Sequence, residues 1–459
     1  MYFERNIDKS LSEWVSRPNR KPLLLRGARQ VGKSTAVRHL GERFDYLVEI
    51  NFEKSPQYKQ CFVEDLDVNR IISQLAILSK TQIIPGKTLL FLDEVQECPQ
   101  AIMSLRFFKE DMPELHVVAA GSLLEFALQN LPTFGVGRIH SMFMHPLTFE
   151  EFLLANGEQL LVDAYHNSDS NHPIADPLHQ RLISLLRTFI LVGGMPESVA
   201  CWVQSHDYTQ CQEILDDIVL TYEDDFSKYK KNVDPDLLRN TLHSAAVQAT
   251  QKFVFARVGD YKAVEIRKAL DMLFLSGILI PVTNTSGNGI PLGAEADLSY
   301  RKVLLLDTGL MLRILHLTNG TNIDLTSHIL TSSANDLVNK GPMAELFVGL
   351  EIIRNSTPNM RHELYYWTRT SRNSLAEVDY LLSDGGTILP VEVKAGVQGG
   401  MKSLWMFMRD KGLTKAVRCS LENFSSYDMV DTNDVQQPEV LRHIEVLPIY
   451  AASRLSKHL

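Results

Sequence analysis

The segment Gly27-Ala28-Arg29-Gln30-Val31-Gly32-Lys33-Ser34-Thr35 carries the sharpest chemistry in the chain. Glycines spaced in this way let a loop bend back on itself, so that successive backbone N–H groups point at one anion. Lys33 supplies a cation to β- and γ-phosphate oxygens, and the Ser34 hydroxyl is placed to ligate Mg2+. A helix starting near Lys33 adds the positive end of its dipole to the same phosphates. The spacing predicts a nucleoside triphosphate site lined by residues 27–35.

Asp93 and Glu94 end the apolar run Thr88–Leu92. A strand beside the one feeding the loop brings Asp93 to its carboxyl end, where it holds Mg2+ through water together with Ser34. Glu94 is then positioned to polarise an attacking water. No Asn-Lys-x-Asp guanine reader is present, because Asn339-Lys340 runs into Gly-Pro, so ATP is the expected nucleotide.

A second constellation lies near the C-terminus: Glu377 and Asp379 in one strand-like run, then Glu392-Val-Lys394 in the next. Residues two apart in a strand share a face, so Glu392 and Lys394 point together. Asp379 joins Glu392 around a divalent metal, most simply Mg2+, with Glu345 on the preceding helix as a further ligand. Lys394 would orient a nucleophile or offset charge. Glu377 is expected as an exposed neighbour turned away from Asp379. A salt-bridged Glu392–Lys394 pair in a fold remnant without catalysis is the competing reading.

These residues need elements to hold them. Residues 5–16 fit a short amphipathic helix with Ile7, Leu11 and Trp14 on one stripe. From Pro22 the pattern is strand, glycine-rich turn, helix. Thr88–Leu92 and His116–Ala120 lack alternation, as buried parallel strands do. A helix around Ile102–Phe108 separates them, and Arg138–Met144 closes the set as a last strand. From Phe149 to about Phe226 the period is helical, and the five acids between Asp216 and Asp225 read as a solvated helix face. Three helices and a strand–loop–strand follow, with Leu279–Val282 and Val303–Leu306 flanking a glycine-rich loop in the order of a winged helix. Beyond a polar linker (Asn319–Asn335), a helix through Ala344, Phe347 and Glu351 precedes strand-like runs at Leu364–Thr368, Glu377–Leu382 and Ile388–Val393. A helix at Leu404–Met408 comes after them.

Composition narrows the function. Of 459 residues, 45% are hydrophobic and 22% charged, and the net charge is −9. A largely disordered chain is excluded, and wholesale coating of DNA is disfavoured by the negative balance. Yet the window Lys228–Arg313 holds 12 Lys/Arg against 8 Asp/Glu, a local +4 against −13 elsewhere. Arg257, Lys262, Arg267 and Lys268 are its expected phosphate contacts if nucleic acid binds. Five scattered cysteines without a CxxC pair argue against disulfides or a zinc ribbon. The longest apolar stretch, Leu270–Val282, is too short to span a bilayer. With no apolar leader, a cytoplasmic protein is expected. The four tryptophans (Trp14, Trp202, Trp367, Trp405) read as core rather than as base-stacking platforms.

The order of phosphate loop, Asp93-Glu94 strand and a strand ending Ala119-Ala120-Gly121-Ser122 resembles AAA+-type ATPases. The resemblance implies that Ser122 senses the γ-phosphate. It also implies that Arg138 reaches into a neighbouring subunit's site, hence a homo-oligomer. Pro146-Leu-Thr-Phe-Glu-Glu-Phe and Gly193-Gly-Met-Pro-Glu197 resemble the post-core and lid motifs of a prokaryotic AAA family. That family carries a C-terminal domain of unknown function related to PD-(D/E)xK nucleases. The expected architecture is α/β multidomain. An AAA+-like parallel-sheet core spans 1–150, a helical lid 151–227, a winged-helix-like module 228–318 and a PD-(D/E)xK-like α/β domain 336–459. The expected function is Mg2+-dependent ATP hydrolysis coupled to DNA or a DNA-linked partner. Its alternative is a nucleotide-controlled scaffold whose C-terminal parts are non-catalytic interaction surfaces. A metabolite kinase shares the loop but is disfavoured by the Asp-Glu pair and the long tail.

Overall fold

A computed structural model describes residues 2–122, 124–129, 137–229, 233–319, 341–371, 374–394, 400–431 and 439–459. The linker from 320 onward lies outside them. The chain divides into two compact units.

The first comprises Met1–Pro146, Leu275–Ile278 and Thr357–Arg361. Its sheet is all parallel: β1 (Leu23–Arg26), β2 (Tyr46–Asn51), β3 (Thr88–Asp93), β4 (His116–Ala120) and β5 (His140–Phe143), in the order β2-β3-β4-β1-β5. β3 and β4 are buried along their whole length, as continuous apolar runs require when helices cover both faces. Leu24, Ile50, Leu90, Leu92, Val117 and Ala119 form the core with Ile71 and Leu75 of the helix Val68–Ser79 and with Leu105 and Phe108 of the helix Pro99–Asp111. The first helix runs Asn6–Ser16 with Ile7, Leu11 and Trp14 buried, and the Trp14 indole donates to the Lys21 carbonyl at 2.8 Å. β2 was not anticipated. Its charged and polar positions break the apolar run that marks its neighbours, because β2 lies at the edge of the sheet.

The second unit comprises Leu147–Phe274, Leu279–Ser356 and His362–Leu459. It begins with five helices: Phe149–Ala155, Gln159–His166, Asp176–Val192, Pro196–Ser205 and Tyr208–Asp225. The segments read as post-core and lid motifs both serve structure here. Thr148 and Glu151 form a capping box on the first helix. Gly193 has φ +73°, where a Cβ would also overlap the Asp307 carboxylate. Gly194 N–H donates to that carboxylate at 2.6 Å, and the Arg354 guanidinium donates to the carbonyls of Leu147 (2.7 Å) and Leu306 (2.6 Å). The acidic run is less solvated than expected. Asp216 takes a two-pronged bond from Arg313, Glu223 pairs with Arg239 and His243, and Asp225 is buried beside Lys228. Helical spacing alone does not say which face a later segment covers.

The expected three helices of the winged module are two, Pro235–Val247 and Ala263–Leu275, with a short turn Phe255–Arg257 between them. The hairpin that follows, β6 (Leu279–Thr285) and β7 (Ala296–Leu305), joins the C-terminal sheet, because β6 pairs in parallel with β8 (Leu364–Ser371). The remaining strands are β9 (Ser374–Asp384), β10 (Thr387–Val393), β11 (Lys415–Ser420), β12 (Ser425–Val430) and β13 (Leu441–Pro448). Their order, β12-β13-β11-β10-β9-β8-β6-β7, makes one eight-stranded sheet. Against it packs the helix Lys402–Lys411, burying Leu404, Phe407 and Met408 among Trp367, Val378 and Leu381. The helix Gly341–Arg354 is buried from Met343 to Arg354. Trp14 and Trp367 are core residues as expected, while Trp202 and Trp405 are half-buried. Among the described residues no helix is long and apolar enough to cross a membrane.

Candidate functional site

The phosphate loop joins the carboxyl end of β1 to the helix Lys33–Gly41. Its path needs backbone angles that side chains resist. Gly27 sits at φ +141°, with the Met144 carbonyl where a Cβ would go, and Gly32 caps the helix at φ +98°. Gln30 also adopts a left-handed φ of +65°. The turn leaves the helix N-terminus open without a side-chain cap, as a loop meant for an external anion requires.

Lys33 is buried at the loop's centre, its ammonium donating to the carbonyls of Gly27 (2.9 Å) and Ala28 (2.7 Å). Burial pulls this ammonium down to about 8, opposed by the charges of Glu94 and Asp93 and assisted by Arg29. The Ser34 hydroxyl donates to Asp93 Oδ1 and Oδ2, both at 3.1 Å, and Asn51 Nδ2 donates to Oδ2 at 3.1 Å. Burial and the neighbouring Glu94 push the Asp93 carboxyl upward, while the bonds from Ser34 and Asn51 hold it back. This is a hard-oxygen set suited to Mg2+, which takes a carboxylate and a hydroxyl alongside substrate phosphates. Glu94, at φ +47°, turns back so that Oε2 accepts from Gln96 Nε2 (2.6 Å), Ser122 Oγ (3.2 Å) and Ser122 N–H (3.3 Å).

The structure thus brings Ser34, Asp93, Glu94 and Ser122 together beside Lys33. Sequence reasoning missed Asn51 and Gln96. Asn51 ends a strand in register with β3, directly opposite Asp93. That register was the missing signal. Arg138 lies elsewhere. It precedes β5, at the amino ends of the parallel strands, and is ion-paired with Glu110.

The C-terminal constellation is also gathered, but around a residue not foreseen. Lys302 of β7 is fully buried, with its ammonium 2.8 Å from Glu345 Oε1, 2.5 Å from Glu377 Oε1 and 3.9 Å from Asp379 Oδ1. Burial works against its charge, yet the carboxylates of Glu345, Asp379 and Glu377 more than offset this and push it well above the lysine range. Glu377 is thus not turned away from Asp379, since strand residues two apart share a face. Lys394 Nζ lies 2.5 Å from Glu392 Oε1, and Asp379 Oδ2 accepts from Val393 N–H at 2.8 Å. Burial pushes Glu345 and Glu392 up to about 8, and Asp379 adds to the effect on Glu392. Among the described residues no group of three or more His, Cys, Asp and Glu is arranged to hold a metal ion. Lys302, set directly before the apolar run Val303–Leu306, was the available signal for this cluster.

Residues 19–153 match the family model of an AAA domain, and this segment is a P-loop AAA-type domain. Residues 183–321 match a domain of unknown function (DUF8612), and 340–449 another (DUF4143). No curated protein matches the chain. Among solved structures, the Walker-type ATPase of Pyrococcus abyssi is 13% identical with a TM-score of 0.44, over 68% of this chain and 96% of that one. The Aeropyrum pernix ORC1 protein in complex with DNA is 12% identical with a TM-score of 0.26, over 68% of this chain and 90% of that one. The Drosophila ORC bound to DNA is 12% identical with a TM-score of 0.25, over 69% and 95%.

Proposed function

We propose that the chain binds ATP with Mg2+ at the phosphate loop, hydrolyses it, and couples the nucleotide cycle to DNA or a DNA-associated partner. One observation carries the hydrolytic part. The Glu94 carboxylate is held by Ser122 and Gln96 beside the Ser34–Asp93 pair, so a base and an ion-holding pair adjoin a loop shaped for phosphates. In this reading the loop N–H groups and Lys33 hold the β- and γ-phosphates. Ser34 and Asp93 would hold Mg2+, which when bound offsets phosphate charge. Glu94 orients water and accepts its proton, and Ser122 passes the state of the γ-phosphate to Glu94 through the two bonds they share. Arg138, directed away from its own loop, is assigned to a neighbouring subunit's site in a homo-oligomer. Exposed Arg257, Lys262, Arg267 and Lys268 supply the phosphate contacts for DNA.

A second reading makes the C-terminal unit a non-catalytic interaction surface under nucleotide control. It is favoured by the way lysine ammonium groups engage the C-terminal acids. Phosphate release from ATP by the wild type and by Glu94→Gln, with and without duplex DNA and at several protein concentrations, decides between them. Turnover that rises with concentration and DNA, and a Glu94→Gln protein that binds ATP but releases at least about a hundredfold less phosphate, is the expected result. ATP binding without hydrolysis by either protein would leave the scaffold reading.

A further inference from the structure

The acidic cluster of the second unit contains a cation of its own. Four carboxylates (Glu345, Glu377, Asp379 and Glu392) converge where the helix Gly341–Arg354 and strands β7, β9 and β10 meet, and Glu345 and Glu392 are buried. Buried acids need positive charge close by or a retained proton. A divalent ion held by Asp379 and Glu392 would meet that need with carboxylate oxygens aimed at one point, roughly 2.0–2.6 Å from it. Both oxygens of Asp379, and one each of Glu345, Glu377 and Glu392, face other partners. Glu345 Oε1 and Glu377 Oε1 close on Lys302 Nζ at 2.8 and 2.5 Å, and Asp379 Oδ1 faces it at 3.9 Å. Asp379 Oδ2 is taken by Val393 N–H at 2.8 Å, and Glu392 Oε1 by Lys394 at 2.5 Å. Glu392 Oε2 is buried without a hydrogen-bond partner. With Asp379 engaged through both oxygens and Glu392 held by Lys394, a dication here would stand against two ammonium groups in a medium that screens poorly. The arrangement does not fit the metal.

We propose that the Lys302 ammonium is the resident cation of this cluster and takes the place of a divalent metal ion. Lys302 reaches the acids from β7, outside the Asp–Glu-x-Lys run, so the hairpin supplies the charge that the carboxylates require. The Tyr366 ring, 4.9 Å from Nζ, and the Tyr380 hydroxyl, which donates to the Glu345 carbonyl at 2.8 Å, close the surroundings. The inference stands apart from the ATPase reading, because none of these residues belongs to the phosphate loop.

The test counts Mn2+ bound to the nucleotide-free full-length chain by electron paramagnetic resonance. Wild type and Glu392→Gln should bind Mn2+ identically. Lys302→Met should gain one site at least tenfold tighter than anything in wild type. A second substitution, Glu392→Gln, should remove it, and Mn2+ should raise the melting temperature of Lys302→Met but not that of wild type. A wild-type site that disappears in Glu392→Gln overturns the proposal, as does a folded Lys302→Met protein that binds no additional Mn2+. If Lys302→Met does not fold, the comparison of wild type with Glu392→Gln decides alone.

Discussion

At the scale of single residues, the phosphate site is held by hydrogen bonds among its own groups. Lys33 spends its donors on the carbonyls of its own loop, and Glu94 is restrained by a serine and a glutamine. Ser122 can therefore be tested apart from binding. Ser122→Ala removes the hydroxyl donor to Glu94 but keeps its N–H, and a hydrogen bond to a charged group is worth about 1.5–3 kcal/mol. Turnover should fall about tenfold to a hundredfold with the ATP dissociation constant nearly unchanged, as steady-state phosphate release and fluorescent-nucleotide titration would show. Loss of binding in parallel would place Ser122 on the nucleotide rather than on Glu94. The loop residues, Asp93 and Glu94 were legible in the sequence because their chemistry is local: a fixed spacing or a strand end. Lys302 was not, because its partners come from β9 and from a helix 43 residues away in the chain.

At the scale of elements, what could be read was what repeats within a segment. Unbroken apolar runs marked β3 and β4, and helical periodicity marked the start of the second unit. The edge strand β2 and the strands β11–β13 escaped, and the β6–β7 hairpin was assigned to the wrong company, since pairing with β8 is a long-range choice that no local pattern encodes. The helix Gly341–Arg354 offers a test of such long-range packing. Its Glu351 is buried, accepts from Phe149 N–H at 3.0 Å and from Asn355 Nδ2 at 3.0 Å, and is faced by Arg354 and Glu151. Burial pushes its carboxyl up to about 7 from an ordinary 4.5, against the pull of Arg354. The folded state thus favours the protonated form. Its contribution is fully present below about pH 4.5 and is lost as pH rises through about 7, on the order of 3 kcal/mol in all. Glu351→Gln should therefore flatten the decline in stability of the second unit between pH 5 and 8, measured by urea midpoints. An unchanged slope would contradict the assignment.

At the scale of the whole molecule, the proposed function asks for more than one copy. Arg138 precedes β5, far along the strands from the loop of its own chain, and its partner Glu110 is on the surface. Arg138→Ala should abolish turnover while sparing ATP binding. Mixing it with Lys33→Ala should restore part of the activity, because each variant supplies what the other lacks. No recovery in the mixture, with each variant still assembling in sedimentation, would remove the role in trans. The division into units has a different consequence. The chain crosses between them five times, at 146/147, 274/275, 278/279, 356/357 and 361/362. The last segment of the first unit is not ornamental there: the Pro358 carbonyl accepts from Phe143 N–H at 2.8 Å and Asn359 meets His140 at 2.9 Å, closing the free side of β5. Gene shuffling with a single breakpoint therefore cannot carry the nucleotide core of this chain into another protein intact. The two units are inherited, and must be synthesised, together: the ATP-binding sheet acquires its final edge only after more than three-quarters of the chain has been made.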